Sequence, residues 1–154
     1  MAIEIGLKDT AREQSVEALK RVLGETYALY SKTHGYHWNV TGPNFQALHT
    51  MFMEQYTDLW NALDDLAERI RALGYFAPAS SSEILEFATI AADNSVPDAT
   101  TMVANLANGH EILARALRDG IQVTETAGDD VTVDLFTQRA AIADKTAWML
   151  RASL

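Results

Sequence analysis

Histidines and carboxylates that could bind a metal are concentrated between His34 and Gly74, which holds three of the chain's four histidines. His37 lies six residues before Pro43 and His49 six residues after it. If two antiparallel helices meet at this proline, the two imidazoles lie at the same height, as in one half of a metal site. The alternative is a turn residue at position 37 and a hydrogen-bonded interface histidine at position 49. Spacing alone does not separate the two interpretations.

Asp64 and Glu68 are four residues apart and therefore share one face of a helix, where two carboxylates can bind one ion. Such pairs are also common on solvated helix faces, which is the alternative for this pair.

A second stripe runs along the same helix beside its leucine and phenylalanine residues. At roughly 100° per residue it contains His49, Met53, Tyr56, Trp60 and Asp64. Methionine and tryptophan at such positions indicate that this edge contacts another surface. Four helices already supply enough apolar faces for one core, so the stripe predicts a partner chain.

His49 and Asp64 would be about 22 Å apart on one straight helix. They therefore cannot bind one ion within a single chain. Two copies related by a two-fold axis would bring the histidines of one chain to the carboxylates of the other. A His and Asp/Glu ligand set without cysteine suits iron, manganese or zinc, and open coordination positions favour redox iron.

These residues require long helices, and the apolar spacing predicts four. We expect them at about Asp9 to Thr33, Phe45 to Leu73, from about Asp98 past Ile121, and about Val131 to Ala152. Residues 75–97 form a long connection with a short helix at 82–87. The prediction is an all-α protein, a ferritin-like four-helix bundle whose crossover joins the second and third long helices. Residues 1–154 form one domain that begins with a short tail, 1–8.

Composition narrows the class of protein further. The chain has 154 residues, 48% of them hydrophobic, and no cysteine, which excludes thiolate sites and fits a reducing, cytoplasmic setting. We expect neither a signal peptide nor a membrane span. The net charge is −9, and residues 1–8 contain a single lysine, so the sequence argues against direct DNA binding.

Two motifs, HGYHWNVTGPNFQALH and DDLAERIRALG, resemble the Dps family of mini-ferritins, and GDDVTVDLF and DKTAW extend the resemblance along the chain. The resemblance implies a homo-dodecameric shell of two-fold dimers. It also implies a ferroxidase that oxidises Fe(II), with hydrogen peroxide in preference to oxygen, and stores the ferric mineral.

Transferred by position, the resemblance implies that His37 and His49 of one chain and Asp64 and Glu68 of its mate bind one or two iron ions. Glu68 would bridge, and the adjacent Trp38 would quench radicals by giving up an electron. Met53 is a departure, because many members have a carboxylate there and a thioether is a poor ligand for hard iron.

The resemblance also places Asp129, Asp130 and Asp134 at three-fold pores, where they would attract Fe²⁺. The alternative is that Asp129 or Asp130 caps the last helix. Both roles are compatible, and Asp130 and Asp134 are favoured for the pore.

Two histidines remain. His34 lies one helical turn before His37 and would either assist the centre or occupy the surface or interface, and His110 is expected in the core. Two other functions compete with the ferroxidase: a DNA-binding nucleoid protein, and a structural helical oligomer with vestigial ligands.

Overall fold

The computed structural model describes residues 2–154, and these form five α-helices and no strand. The four long helices are α1 (Asp9–Asn39), α2 (Phe45–Ala72), α4 (Ala99–Ala127) and α5 (Asp130–Arg151), and α3 (Ser81–Leu85) is a single short turn between α2 and α4. The all-α prediction is confirmed, including the short helix in the crossover. None of the helices in this part of the chain has the length and apolar character needed to cross a membrane.

The first helix continues to Asn39, so its predicted end near Thr33 is wrong. No helix-breaking residue occurs before Gly42, where φ is +117°, and Tyr36 and His37 are buried on the face that packs against the bundle. Burial of these two rings favours continuation of the helix over the weak helix preference of Gly35. His34, His37 and Trp38 are therefore helical residues, and only a few residues separate α1 from α2.

Side-chain contacts establish the direction of each helix. Arg21 of α1 pairs with Asp119 near the end of α4, while Asn105 near the start of α4 donates to Tyr36 near the end of α1. These two helices are therefore antiparallel. Arg151 at the end of α5 pairs with Glu111 of α4, while Asp144, earlier in α5, pairs with Arg118, later in α4, so the last two helices are antiparallel as well.

The crossover between α2 and α4 runs along α1 for much of its length. Leu73 accepts a hydrogen bond from Arg12 at one end of α1, and Asp93 accepts one from Tyr36 near the other. Between them, the fully buried carboxylate of Glu25 accepts hydrogen bonds from the backbone and hydroxyl of Thr89. The crossover thus returns the chain to the far end of the bundle, which makes α2 and α4 parallel, as in the ferritin-like arrangement.

One apolar core fills the centre of the bundle, and its side chains come from all four long helices. Its largest fully buried members include Leu19, Leu29, Phe52, Leu59, Leu66, Met102, Leu106, Leu117 and Phe136. On the side where α2 faces α5, ion pairs supplement this core. Arg139 binds Asp58 through two hydrogen bonds of 2.7 and 3.0 Å, and Arg69 binds Asp129 at 2.8 Å.

Candidate metal centre

The hairpin between α1 and α2 brings His37 and His49 into direct contact. Their rings stack with centroids 3.8 Å apart and an interplanar angle of 14°. Each Nδ1 lies 2.7 Å from the backbone carbonyl oxygen of the other histidine. The two residues therefore hold each other in one conformation.

This reciprocal pair of hydrogen bonds determines the tautomer of both rings. A carbonyl oxygen only accepts, so each Nδ1 carries a proton and donates it, which leaves each Nε2 with a free lone pair. The carbonyl of His37 is in the last turn of α1, where carbonyl groups have no partner within the helix. The His49 side chain supplies that missing donor, so the same contact caps the helix and orients two Nε2 atoms that could bind a metal.

The two candidate carboxylates are on the distal half of α2. Asp64 and Glu68 are both exposed, and neither forms a hydrogen bond or ion pair within residues 2–154. In this part of the chain, no three side chains among histidine, cysteine, aspartate and glutamate converge on one point. The histidine pair and the carboxylate pair are thus two separate groups in the isolated chain.

An exposed apolar stripe occupies the surface around these two groups. Trp38 is 65% exposed, Trp60 56% and Met53 43%, and Phe45 is stacked on His49 with centroids 5.0 Å apart. Isolated exposed apolar residues are common, but a contiguous band of large ones marks an interaction surface. Met53 lies one turn after His49 on this face of α2. Its side chain is a thioether and not a carboxylate.

His34 lies beside the histidine pair, with its ring centroid 6.1 Å from that of His37, but two tyrosines engage its ring. Its Nδ1 is 2.9 Å from the hydroxyl of Tyr30, and its ring stacks on Tyr56 with centroids 3.9 Å apart at an angle of 10°. Burial, and then the neighbouring His37, lowers the pKa of His34. No role for Tyr30 was predicted from the sequence, although its four-residue spacing from His34 is the signal that indicates this contact.

The three acids assigned to the pore occupy different environments. Asp130 and Asp134 are exposed near the start of α5, but Asp129 is only 1% exposed. Asp129 caps α5 by accepting from the backbone and hydroxyl of Thr132, and it pairs with Arg69. The expectation that Asp129 lines a pore is corrected for this reason: its carboxylate is enclosed by its own chain.

His110 lies in the core of the bundle, 2% exposed, and neither ring nitrogen has a protein hydrogen-bond partner. Burial lowers the pKa of His110 to about 4, Asp58 opposes this shift and Arg139 adds to it. The imidazole is therefore neutral near pH 7 and contributes no positive charge to the core.

The four-helix bundle with its long crossover defines a ferritin-like protein, and comparison with known proteins agrees. The family model for the ferritin-like domain matches residues 16–154. The chain is 34% identical to DNA protection during starvation protein 2 of Bacillus anthracis, covering 92% of this chain and 97% of that protein. It is 39% identical to a low temperature-induced protein of Nostoc, covering 97% and 85%.

Among solved structures, the chain is similar to the Dps protein of Vibrio cholerae O1, which is described as a member of the ferritin-like diiron-carboxylate proteins. The TM-score is 0.93, with 35% identity over 99% of this chain and 96% of that one. The chain belongs to the Dps family within the ferritin-like proteins.

Proposed function

We propose that the protein is a cytoplasmic ferroxidase that oxidises Fe(II), preferentially with hydrogen peroxide, and stores the ferric product inside a homo-dodecameric shell. Membership of the Dps family supports iron storage and stress protection in general. The finer assignment depends on how the two separate ligand groups come together.

The observation that carries the proposal is the preformed histidine pair. His37 and His49 present two free Nε2 atoms at one end of α2, while Asp64 and Glu68 are unpaired near the other. An exposed apolar band that contains Trp60 and Met53 lies between the two groups. A two-fold axis through this band would bring the histidines of one chain next to the carboxylates of its mate. Each dimer would then have two identical sites.

The chemistry follows from the ligands and from the substrate. Two nitrogens and two carboxylates would neutralise and hold an iron ion, and we assign to Glu68 the role of bridging to a second one. Hydrogen peroxide needs two electrons, which two Fe(II) ions supply while two protons from solvent complete two water molecules. Because peroxide is reduced by two electrons together, hydroxyl radical is not released. Trp38 adjoins the site and is available as a further electron donor.

Iron would enter through pores lined by Asp130 and Asp134, three copies of each creating a negative potential that attracts Fe²⁺. Direct DNA binding is not part of the proposal, because a subunit charge of −9 repels the phosphate backbone.

Subunit mixing tests the shared site. His49→Ala and Glu68→Ala shells each lack every intact site, so both should lose rapid Fe(II) oxidation by peroxide. Random co-assembly makes half of the dimers mixed, and each mixed dimer has one intact and one doubly defective site. We therefore expect about one quarter of wild-type activity to return.

Asp65→Ala is the matched control, because this exposed acid is adjacent to Asp64 but on another face of α2. It should oxidise iron at the wild-type rate. A centre built within one chain would regain no activity on mixing, and that result would refute the proposal.

A further inference from the structure

We propose that Tyr30 is a one-electron donor to peroxide at the iron centre, and that His34 receives its phenolic proton. The inference rests on the proposed ferroxidase function and adds Tyr30 to Fe(II) and Trp38 as a source of electrons.

The contact between Tyr30 and His34 is suited to proton-coupled oxidation. The Tyr30 hydroxyl and His34 Nδ1 are 2.9 Å apart, on successive turns of α1, and both side chains are partly buried. A phenol that loses an electron becomes a neutral radical only if its proton can leave. Imidazole is a reversible proton acceptor near neutral pH, and because burial lowers the pKa of His34 its ring is neutral there and able to accept the proton.

The other tyrosines with hydrogen-bond partners have less suitable ones. Tyr27 is bonded to the hydroxyl of Ser81, which is not a base. Tyr36 is bonded to Asp93, whose own hydrogen bonds hold the pKa of its carboxyl at about 2, so it is a poor proton acceptor. Among the hydrogen bonds of residues 2–154, Tyr30 is thus the tyrosine with an imidazole partner.

A series of neighbouring aromatic rings leads from Tyr30 to the proposed ligands. Its ring centroid is 6.3 Å from that of Tyr56, and the Tyr56 ring is 5.2 Å from His37 in an edge-on arrangement. A second route passes through His34, whose ring is 4.1 Å from that of Trp38. An electron leaving Tyr30 can therefore reach the centre by short steps between rings.

The ligand set explains why another electron is useful. His37, His49, Asp64 and Glu68 are enough protein ligands for one iron ion, and the neighbouring position on α2 is the thioether of Met53, which suits hard iron poorly. When a site holds a single Fe(II), peroxide receives only one electron from iron. The balance is completed if Tyr30 supplies the second.

The step balances as follows. One Fe(II) and the phenol of Tyr30 each give one electron to hydrogen peroxide, whose O–O bond breaks. Two protons from solvent convert its oxygens to two water molecules, and the phenolic proton moves to His34. The products are Fe(III), a neutral tyrosyl radical and an imidazolium. A further Fe(II) can then reduce the radical, with return of the proton from His34.

The test uses the assembled shell under anaerobic conditions, loaded with one Fe(II) per site and mixed with one equivalent of peroxide. Freeze-quench electron paramagnetic resonance detects the tyrosyl radical, and a spin trap detects escaped hydroxyl radical. The variants are Tyr30→Phe and, as the matched control, Tyr27→Phe, which alters a neighbouring tyrosine 6.1 Å away that has no imidazole partner. Size-exclusion chromatography checks assembly of each.

We expect the wild type and Tyr27→Phe to give the tyrosyl signal. Tyr30→Phe should lose it and release more hydroxyl radical for each Fe(II) ion oxidised. His34→Gln keeps an acceptor for the Tyr30 hydrogen bond but not a base, and it should lose the signal as well. This variant also provides the test if Tyr30→Phe fails to assemble.

Rapid oxidation with no tyrosyl signal, or with an equal signal in Tyr30→Phe, would overturn the inference while the ferroxidase function stands. If the wild type oxidises Fe(II) no faster than free iron in buffer, both the inference and the proposed function fail.

Discussion

Replacement of His110 by leucine should stabilise the protein, by an amount that grows as the pH falls. His110 is buried, with Asp58 of α2 and Arg139 of α5 as the charged groups that influence it. Leucine has a similar size and no polar atom. It removes two ring nitrogens that have no protein partner, and such a buried polar group costs about 1–3 kcal/mol.

The pH dependence follows from the pKa of His110, which is about 4 in the folded chain and has an ordinary value of 6.5. Between these values the unfolded chain binds the proton and the folded chain does not. The free energy of unfolding of the wild type therefore falls as the pH drops from 6.5 to 4. At about 1.4 kcal/mol per pKa unit, the wild type loses roughly 3 kcal/mol of unfolding free energy by about pH 4. The leucine variant has no imidazole and does not undergo this loss.

Differential scanning calorimetry of both proteins at equal concentration measures the effect. In a chain of this size about 1 kcal/mol shifts Tm by about 2–4 °C, so the advantage of His110→Leu should widen by several degrees between neutral and acid pH. Leu106→Met, a core replacement on the same helix, should shift Tm by an amount that does not depend on pH. Parallel Tm curves for wild type and His110→Leu would refute the reasoning.

Two further pairs of substitutions test the attachment of the crossover and the backbone conformation at two glycines. Glu25→Ala removes the buried carboxylate that holds the crossover through Thr89, and it should lower the unfolding free energy in urea by about 2–4 kcal/mol, whereas exposed Glu17→Ala should have little effect. Gly128→Ala places a side chain at φ +75° and should lower the free energy of unfolding by about 1 kcal/mol. Gly35 is inside α1, and no atom lies within 4 Å of the carbon that alanine would add, so Gly35→Ala should raise the free energy of unfolding by about 0.5–1 kcal/mol. Equal Tm shifts for the two alanine variants would contradict the backbone argument.

Much of the fold could be predicted from the sequence because the information is local. The periodic apolar residues of α2 predict the length of that helix, and the long connection after Gly74, rich in Ser, Ala and Pro, predicts the crossover. Counting six residues on each side of Pro43 correctly predicted that His37 and His49 would be at one height. The end of α1 could not be located, because burial of Tyr36 by α4 and the crossover keeps the helix intact, and those contacts are distant in sequence.

Other features depend on rotamers and register, which patterns do not specify. Asp129 and Asp130 are adjacent acids at a helix start, and only the register of α5 decides that the first is the buried cap. The partnership of Tyr30 with His34 was equally hidden, since a four-residue spacing allows the contact without requiring it. The roles of Asp64 and Glu68 depend on a second chain and remain a prediction.

The reciprocal contact between His37 and His49 makes this half of the proposed centre a self-contained unit. Both candidate ligands, the turn that joins them and both orienting carbonyls belong to one continuous segment, residues 37–49. Contacts so close in sequence need little loop closure and form readily. The register of the hairpin therefore determines the orientation of both imidazoles, because a shift of one helix along the other would break both hydrogen bonds together. If the segment were transferred to another antiparallel helix pair, we expect the two imidazoles to keep their orientation.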